Sequence, residues 1–304
     1  MFVLDLSEVE QWVRGHVEPR GRIDVVHSRP WATVVRVPLA DGTAWFKACA
    51  PVQAFEPRLT AELSGRSPHV VPEVLAYDEE RAWLLLADAG RSVGTLDEPP
   101  DIWLTALPLY AELQRAESAH VGDHLAHGVP DLRLATLLGR YDELLELDLP
   151  IEEDEVRQLR SFRSGFAELC DELASYQVPE TIQHDDLHHA NLYVNGDEIR
   201  VLDWGDSSIS HPFASLVVTF RFLEERHGLA PDDPWFERLR EAYLEPWGEG
   251  FGPAVPLAIR IGAFARAIAY LPQRKALEPE ARTRFDVDFS IVLRRAVAHC
   301  AQDR

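Results

Sequence analysis

The sequence predicts an α+β fold in which an N-terminal antiparallel sheet with one helix precedes a larger, mainly helical part. Three observations lead there. Up to about residue 90, apolar and polar residues alternate in short runs separated by turn formers, the period-two pattern of strands. Beyond residue 100 the apolar residues recur at three- and four-residue spacing, the pattern of helices. The break falls at Asp88-Ala89-Gly90, which suits a hinge and divides the chain into an N-terminal part, residues 1–90, and a C-terminal part, residues 91–304.

The N-terminal strands are expected at 23–26, at 32–39 and at 44–47, with the turn Ala40-Asp41-Gly42 between the last two. A helix from about 54 to 64 follows, because Phe55, Leu59 and Leu63 lie on one face and Gly65 supplies a stop. Strands at 70–77 and 81–87 bracket Asp78-Glu79-Glu80. After Gly94 and the loop at residues 97–101, helical stripes run through Leu109, Leu113 and Ala116, through Leu134, Leu138, Tyr141 and Leu145, and through Leu159, Phe162 and Phe166. The exception is 191–203, where two short apolar runs flank Asn195-Gly196-Asp197, a strong hairpin signal. Further helices are expected around 235–244, 257–270 and 290–301.

Composition narrows the classes of function. A chain of 304 residues, 46% apolar and 27% charged, has an ordinary globular balance. Acids stand near the N-terminus where a signal peptide would carry basic residues, and dense apolar runs such as 83–87 are too short to span a bilayer. A cytoplasmic protein without membrane contact is expected. Cys49, Cys170 and Cys300 form no C-x-x-C pair, which suits unpaired thiols. The net charge of −21, with no basic stretch, argues against nucleic acid. Its first consequence is solubility, and its second is to steer cations in preference to anions. No protein partner is evident. The chain has only two lysines, Lys47 and Lys275, and only two asparagines, Asn191 and Asn195. A residue type that the background avoids is expected where its chemistry is needed.

His184-Asp185-Asp186-Leu187-His188-His189-Ala190-Asn191 fits H-x-D-L-x-x-x-N, the spacing of a kinase catalytic loop, and Asp203-Trp204-Gly205 follows as a D-x-G. Phosphoryl transfer has a loose, highly charged transition state, which calls for a carboxylate at the attacking hydroxyl and a metal held against phosphate oxygens. Asp186 fits the first role as catalytic base. Asn191 and Asp203 offer the hard oxygens that magnesium prefers, and the hairpin between them brings two distant ligands to one end of a ribbon. Lys47 ends Ala44-Trp45-Phe46-Lys47, in form the strand whose lysine reaches nucleotide phosphates. Its partner should be Glu56 rather than Glu62, since Glu56 stands beside the apolar face of the following helix. Asp206 and Asp131 either face substrate or cap loops. The rival for His184, Asp185, Asp186, His188 and His189 is a metal cluster of a hydrolase, against which stands the lack of an H-E-x-x-H arrangement. His184 otherwise supports the loop, and His188 supports it or touches substrate.

On these residues the chain resembles the aminoglycoside phosphotransferase family, whose signature is similar to His184–Asn191 followed by Val201-Leu-Asp-Trp-Gly-Asp206. The likeness runs from about residue 30 to 215 and includes 55–63, 71–75, 83–90 and 128–133. Two departures stand out: Asp185 replaces the usual glycine between His and Asp, and His189-Ala190 replaces the usual Pro-Gly before the asparagine. The resemblance implies a two-lobed, protein-kinase-like fold that binds ATP between lobes, with the adenine on the backbone of Ala87, Asp88 and Ala89 and the acceptor on the helical lobe. No glycine-rich phosphate loop is present, and Ser28 and Thr33 stand where it should be. A long activation segment has no room before His211-Pro212-Phe213, which disfavours a protein kinase. The reading is an ATP- and Mg2+-dependent small-molecule kinase acting on a hydroxyl, such as that of an aminoglycoside, an amino sugar or a related alcohol. The alternatives are a non-catalytic nucleotide-binding regulator of the same fold and the metal-dependent hydrolase.

Overall fold

Apolar alternation in the N-terminal part closes into one antiparallel sheet. A computed structural model, which describes residues 4–96 and 100–301, gives β1 (Asp24–Ser28), β2 (Ala32–Leu39), β3 (Gly42–Cys49), β4 (Val74–Asp78) and β5 (Trp83–Ala87) in the order β1-β2-β3-β5-β4. Val35 and Val37 of β2, Ala44, Phe46 and Ala48 of β3, and Trp83 and Leu85 of β5 alternate onto one face and form its core. Lys47 therefore projects from the other face, paired in register with Val34 and Leu84.

The core is sealed by a helix that the sequence reading lacked, α1 (Leu6–Arg14), which contributes Val9 and Val13. Its Asp5 N-cap accepts a hydrogen bond from the Ser7 amide. Two buried residues give too short a stripe for periodicity to register. The second helix, α2 (Glu56–Arg66), starts after a 3₁₀ turn at Pro51–Gln53 and continues through Gly65. The strand expected from residue 70 begins at Val74, because the Val70 and Val71 amides are already spent in a turn onto the Ser67 carbonyl.

By internal contacts the described residues form two compact units. One comprises those of Met1–Asp97 with Ala126–Val129 and His189–Asp206, the other those of Glu98–Leu125, Pro130–His188 and Ser207–Arg304. The hairpin Leu192–Asn195/Glu198–Val201 thus groups with the N-terminal sheet, where a single cut at residue 90 had set it apart. It is extended by Arg91–Ser92 and tied to residue 70 by a 2.7 Å bond from the Val201 amide to the Val70 carbonyl. Part of the loop expected at 97–101, residues 97–99, lies outside the described residues.

The second unit is helical around the buried rings of Trp103, Tyr110, Tyr141, Phe166, Phe213, Phe264 and Phe289, with one short strand pair, Thr181–Gln183 and Ser208–Ser210. On the helix Ile102–Glu117 the expected stripe is rotated: Leu113 is buried, but Ala116 is exposed and Gln114 and Glu117 face inward. The reason is polar. Gln114 Nε2 donates to the Ile182 carbonyl, Tyr243 donates to Gln114 Oε1, and Glu117 pairs with His124, so satisfied polar groups occupy core positions. The run Ala254–Ala276, with mean hydropathy 1.5, is long and apolar enough to cross a bilayer, contrary to the expectation of short runs only; 67% of its apolar window is buried inside the protein.

Candidate active site

In the first unit, Lys47 is gripped by two carboxylates. Its Nζ lies 2.6 Å from Glu56 Oε1 and 2.6 Å from Asp203 Oδ1. Lys47 and Glu56 are 12% and 1% exposed, whereas Asp203 is 52% exposed. Strand β3 presents the lysine, the first turn of α2 presents Glu56, and the segment after the hairpin presents Asp203. Burial disfavours the ammonium, but Asp203 and Glu56 outweigh it and raise the Lys47 pKa well above its ordinary value. Glu62 is engaged instead with Arg58, Arg66 and His127.

The D-x-G glycine follows from this packing. A Cβ on Gly205 would lie 2.6 Å from Glu56 Oε2 and 2.9 Å from Gln53 Nε2, and Gln53 in turn donates to Asp206 Oδ1 at 3.0 Å. Asp206 is therefore occupied in holding this segment. Asp203 itself has φ +66°, a left-handed conformation uncommon for a residue with a Cβ. Such strain persists where the surroundings over-determine it, as at functional sites.

Asn191, half-buried, opens the hairpin, and its carbonyl accepts from the Leu202 amide at 3.0 Å, next to Asp203. The loop before it is clamped by 91–95. The Gly94 amide donates to the His189 carbonyl at 2.7 Å and Ser92 Oγ donates to the Ala190 carbonyl at 3.1 Å. A Cβ on Gly94 would stand 3.2 Å from the Ala190 Cα. His189-Ala190 is thus fixed from outside, without the usual Pro-Gly.

In the second unit, the mirror arrangement surrounds Asp186. Its Oδ1 accepts from Arg266 Nη2 at 2.8 Å and its Oδ2 faces His188 Nε2 at 3.3 Å, while the side chain remains 25% exposed. Burial opposes its ionisation, but the Arg266 guanidinium and the His188 ring outweigh burial and hold the carboxyl below the ordinary carboxylate range. Asp185 is buried with φ +61°, the conformation for which glycine is usual. Its carboxylate accepts from Gln183 and Ser208, and its carbonyl accepts from Arg266, so the aspartate keeps the glycine-type path and adds anchors. Buried His184 accepts the Asp186 amide on Nδ1, and His188 stacks on Phe222 with centroids 4.1 Å apart.

The remaining expected residues fall as follows. Thr33 is buried, its hydroxyl 2.8 Å from that of Ser28 across the β1–β2 hairpin. Ala87 ends β5, the Asp88 carboxylate accepts from the Gly90 amide, and Ala89 is buried. Gly90, at φ +92°, admits the Val194 carbonyl to within 2.2 Å of where a Cβ would be. Asp131 caps its own loop through Arg133 and Thr136. Sequence reasoning missed Arg266, Gln53, Ser92 and Gly94. Only Arg266 left a signal: it and Arg260 are the charged residues of the otherwise apolar helix Ala254–Ala269. Among the described residues no group of three or more His, Cys, Asp or Glu side chains is arranged to hold a metal ion, so the hydrolase cluster does not converge. The Asn191–Asp203 pair is a different donor set, an amide oxygen and an exposed carboxylate, and fits a hard divalent cation.

Residues 22–259 match the sequence model of the family described as "Phosphotransferase enzyme family". No protein of curated function matches the chain in sequence. Among solved structures, it is similar to a choline/ethanolamine kinase family protein from Mesorhizobium loti, with TM-score 0.61 and 14% identity over 97% of this chain and 98% of that one. It is also similar to APH(2")-IIia solved with GDP and kanamycin, with TM-score 0.62 and 15% identity over 97% and 98%. A third is amicoumacin kinase hAmiN solved with AMP-PNP, Ca2+ and Ami, with TM-score 0.58 and 12% identity over 95% and 94%. At these identities the likeness is one of fold, and the fold is kinase-like.

Proposed function

The chain belongs to the phosphotransferase enzyme family, and from that premise we propose that it is an ATP- and Mg2+-dependent kinase that phosphorylates a hydroxyl of a small molecule in the cytoplasm. The observation that carries the reading is Lys47 held 2.6 Å from both Glu56 and Asp203. A buried ammonium fixed on one side and facing a half-exposed carboxylate on the other suits a nucleotide phosphate with its metal. The bound nucleotide would supply the phosphoryl group, and magnesium would offset the charge that develops on it.

The chain's own residues have distinct tasks. Glu56 orients Lys47, which holds phosphate oxygens; Asn191 and Asp203 hold the metal; the Ala87–Ala89 backbone takes the adenine, and the Ser28 and Thr33 segment borders the phosphates. Asp186 accepts the hydroxyl's hydrogen bond and later its proton. Because Arg266 makes it a weak base, its main work in a loose transition state is orientation. The compared kinases and the resemblance suggest aminoglycosides, amino sugars and amino alcohols as a first acceptor panel.

An ATP-consumption screen over hydroxylated metabolites and aminoglycosides tests the activity. Calorimetry tests the site: Asp203→Ala should weaken Mg2+-ATP binding by about tenfold or more, as loss of a charged metal ligand implies. Unchanged affinity would remove Asp203 from the metal site.

A further inference from the structure

Two residues beyond Lys47, strand β3 carries Cys49 on the same face, away from the core that Ala44, Phe46 and Ala48 build. Its thiol is buried and donates to Glu56 Oε2 at 3.2 Å, while Lys47 Nζ donates to Oε1 of the same carboxylate at 2.6 Å. The strand end is itself fixed: the Cys49 amide donates to the Ala82 carbonyl at 2.9 Å, and Cys49 pairs in register with Ala32. One short stretch of β3 thus supplies a donor to each oxygen of Glu56.

The second donor matters because a glutamate's terminal torsion is broad, so a carboxylate held by one oxygen can still turn. Lys47 alone would leave the plane of Glu56 free to swing, and the ammonium would follow it. With Oε2 on the thiol, both oxygens are placed. Oε2 is also the atom that crowds Gly205, where an added Cβ would stand 2.6 Å away, so this oxygen is boxed between β3 and the segment that carries Asp203. A thiol suits the place. Burial and the charge of Glu56 push the Cys49 pKa well above its ordinary value, against Lys47, so the group stays a neutral donor. Burial and Asp203 also lift the Glu56 pKa, against Lys47 and the Cys49 hydrogen bond, so each donor helps to keep the carboxylate charged.

We propose that Cys49 is a positioning residue of the nucleotide site: its thiol fixes the plane of the Glu56 carboxylate, which in turn sets where Lys47 meets the phosphates. The proposal rests on the kinase reading above. Cys49 acts through Glu56 and takes no part in the chemistry.

The test is calorimetric binding of AMP-PNP with Mg2+ to wild type, Cys49→Ser, Cys49→Ala and Cys49→Val, which needs no acceptor. Cys49→Ser keeps a donor, Cys49→Ala loses it, and Cys49→Val loses it while keeping bulk. Cys49→Ala and Cys49→Val should each weaken binding by about three- to tenfold, the size of one modest hydrogen bond, and Cys49→Ser should stay within about twofold of wild type. A melting scan without nucleotide checks that each variant is folded. In a Glu56→Ala background, Cys49→Ala should add nothing, since the path to Lys47 is already cut. A general packing role would weaken binding in both backgrounds alike. Unchanged affinity in Cys49→Ala and Cys49→Val, a loss in Cys49→Ser equal to that in Cys49→Ala, or an additive loss in the double variant overturns the proposal. A loss in Cys49→Ala that Cys49→Val does not share also overturns it, because bulk and not the donor would then matter. Failure of wild type to bind AMP-PNP would instead sink the kinase reading, and the proposal with it.

Discussion

Two corners of this molecule are electrostatic inverses. In the first unit a cation, Lys47, is held between the carboxylates of Glu56 and Asp203; in the second a carboxylate, Asp186, is held between the Arg266 guanidinium and the His188 ring. Each central group is buried enough to resist charging, and each is kept charged by flanking groups of opposite sign. The flanks differ in one respect. Asp203 is half-exposed and open to exchange Lys47 for another positive partner, whereas Arg266 is 8% exposed and also bonded to the Asp185 carbonyl. The lysine corner is built to be rearranged by a ligand and the aspartate corner to stay as it is.

The largest effect should come from neutralising the centre of the rigid corner. Asp186→Asn should lower turnover by about 10²–10⁴-fold, as for a positioned acid–base group, while Mg2+-ATP affinity by calorimetry stays near wild type. Comparable turnover in the variant would remove Asp186 from catalysis.

Arg266→Ala should cost about 3–5 kcal/mol in chemical denaturation, because the Asp186 carboxylate and the Asp185 carbonyl would both lose their guanidinium partner. A loss below about 1 kcal/mol would mean that Arg266 is not what holds the corner.

Lys47→Arg should reduce turnover by about 10²-fold, since a planar fork cannot sit 2.6 Å from two carboxylates as a compact ammonium does, and displacements near 1 Å are that costly. Lys275→Arg is the control. That residue is exposed, on the short helix Leu271–Ala276, and the substitution should be silent in steady-state kinetics.

The smallest effect concerns pH. The Asp186 carboxyl titrates below its unfolded value, so its contribution to stability is present above that value and is lost as pH falls toward the folded one. The melting-temperature advantage of wild type over Asp186→Asn should hold from neutral pH down to about pH 4 and shrink only below it, by an amount on the order of 2–4 °C per kcal/mol lost. Loss of that advantage near pH 6 would assign control to a histidine.

How far each corner was legible follows from the range of its interactions. Strand β3, helix α2 and the hairpin after Asn191 are written in local periodicity and turn chemistry, and the spacing within 184–191 is a local code. The scarcity of lysine marked Lys47 for the same reason, as a property of single positions. Two features escape local periodicity for physical reasons: α1 buries too few residues to make a stripe, and on the helix Ile102–Glu117 the polar Gln114 and Glu117 hold core positions that an apolar pattern does not mark.

What the tertiary structure alone decided is which distant residues complete each charge. Arg266 is 80 positions from Asp186, and Asp203 is 156 from Lys47. The sequence by itself determined that the Asp186, Asn191 and Asp203 pattern and the rare Lys47 were present and in what order. That Asp185 takes a glycine's φ, that Gly94 and Ser92 grip His189-Ala190, and that Arg266 reaches both Asp186 and the Asp185 carbonyl depended on packing. Backbone strain and buried charge are tolerated only when partners from elsewhere in the chain offset their cost, and no run of neighbouring residues reveals those partners.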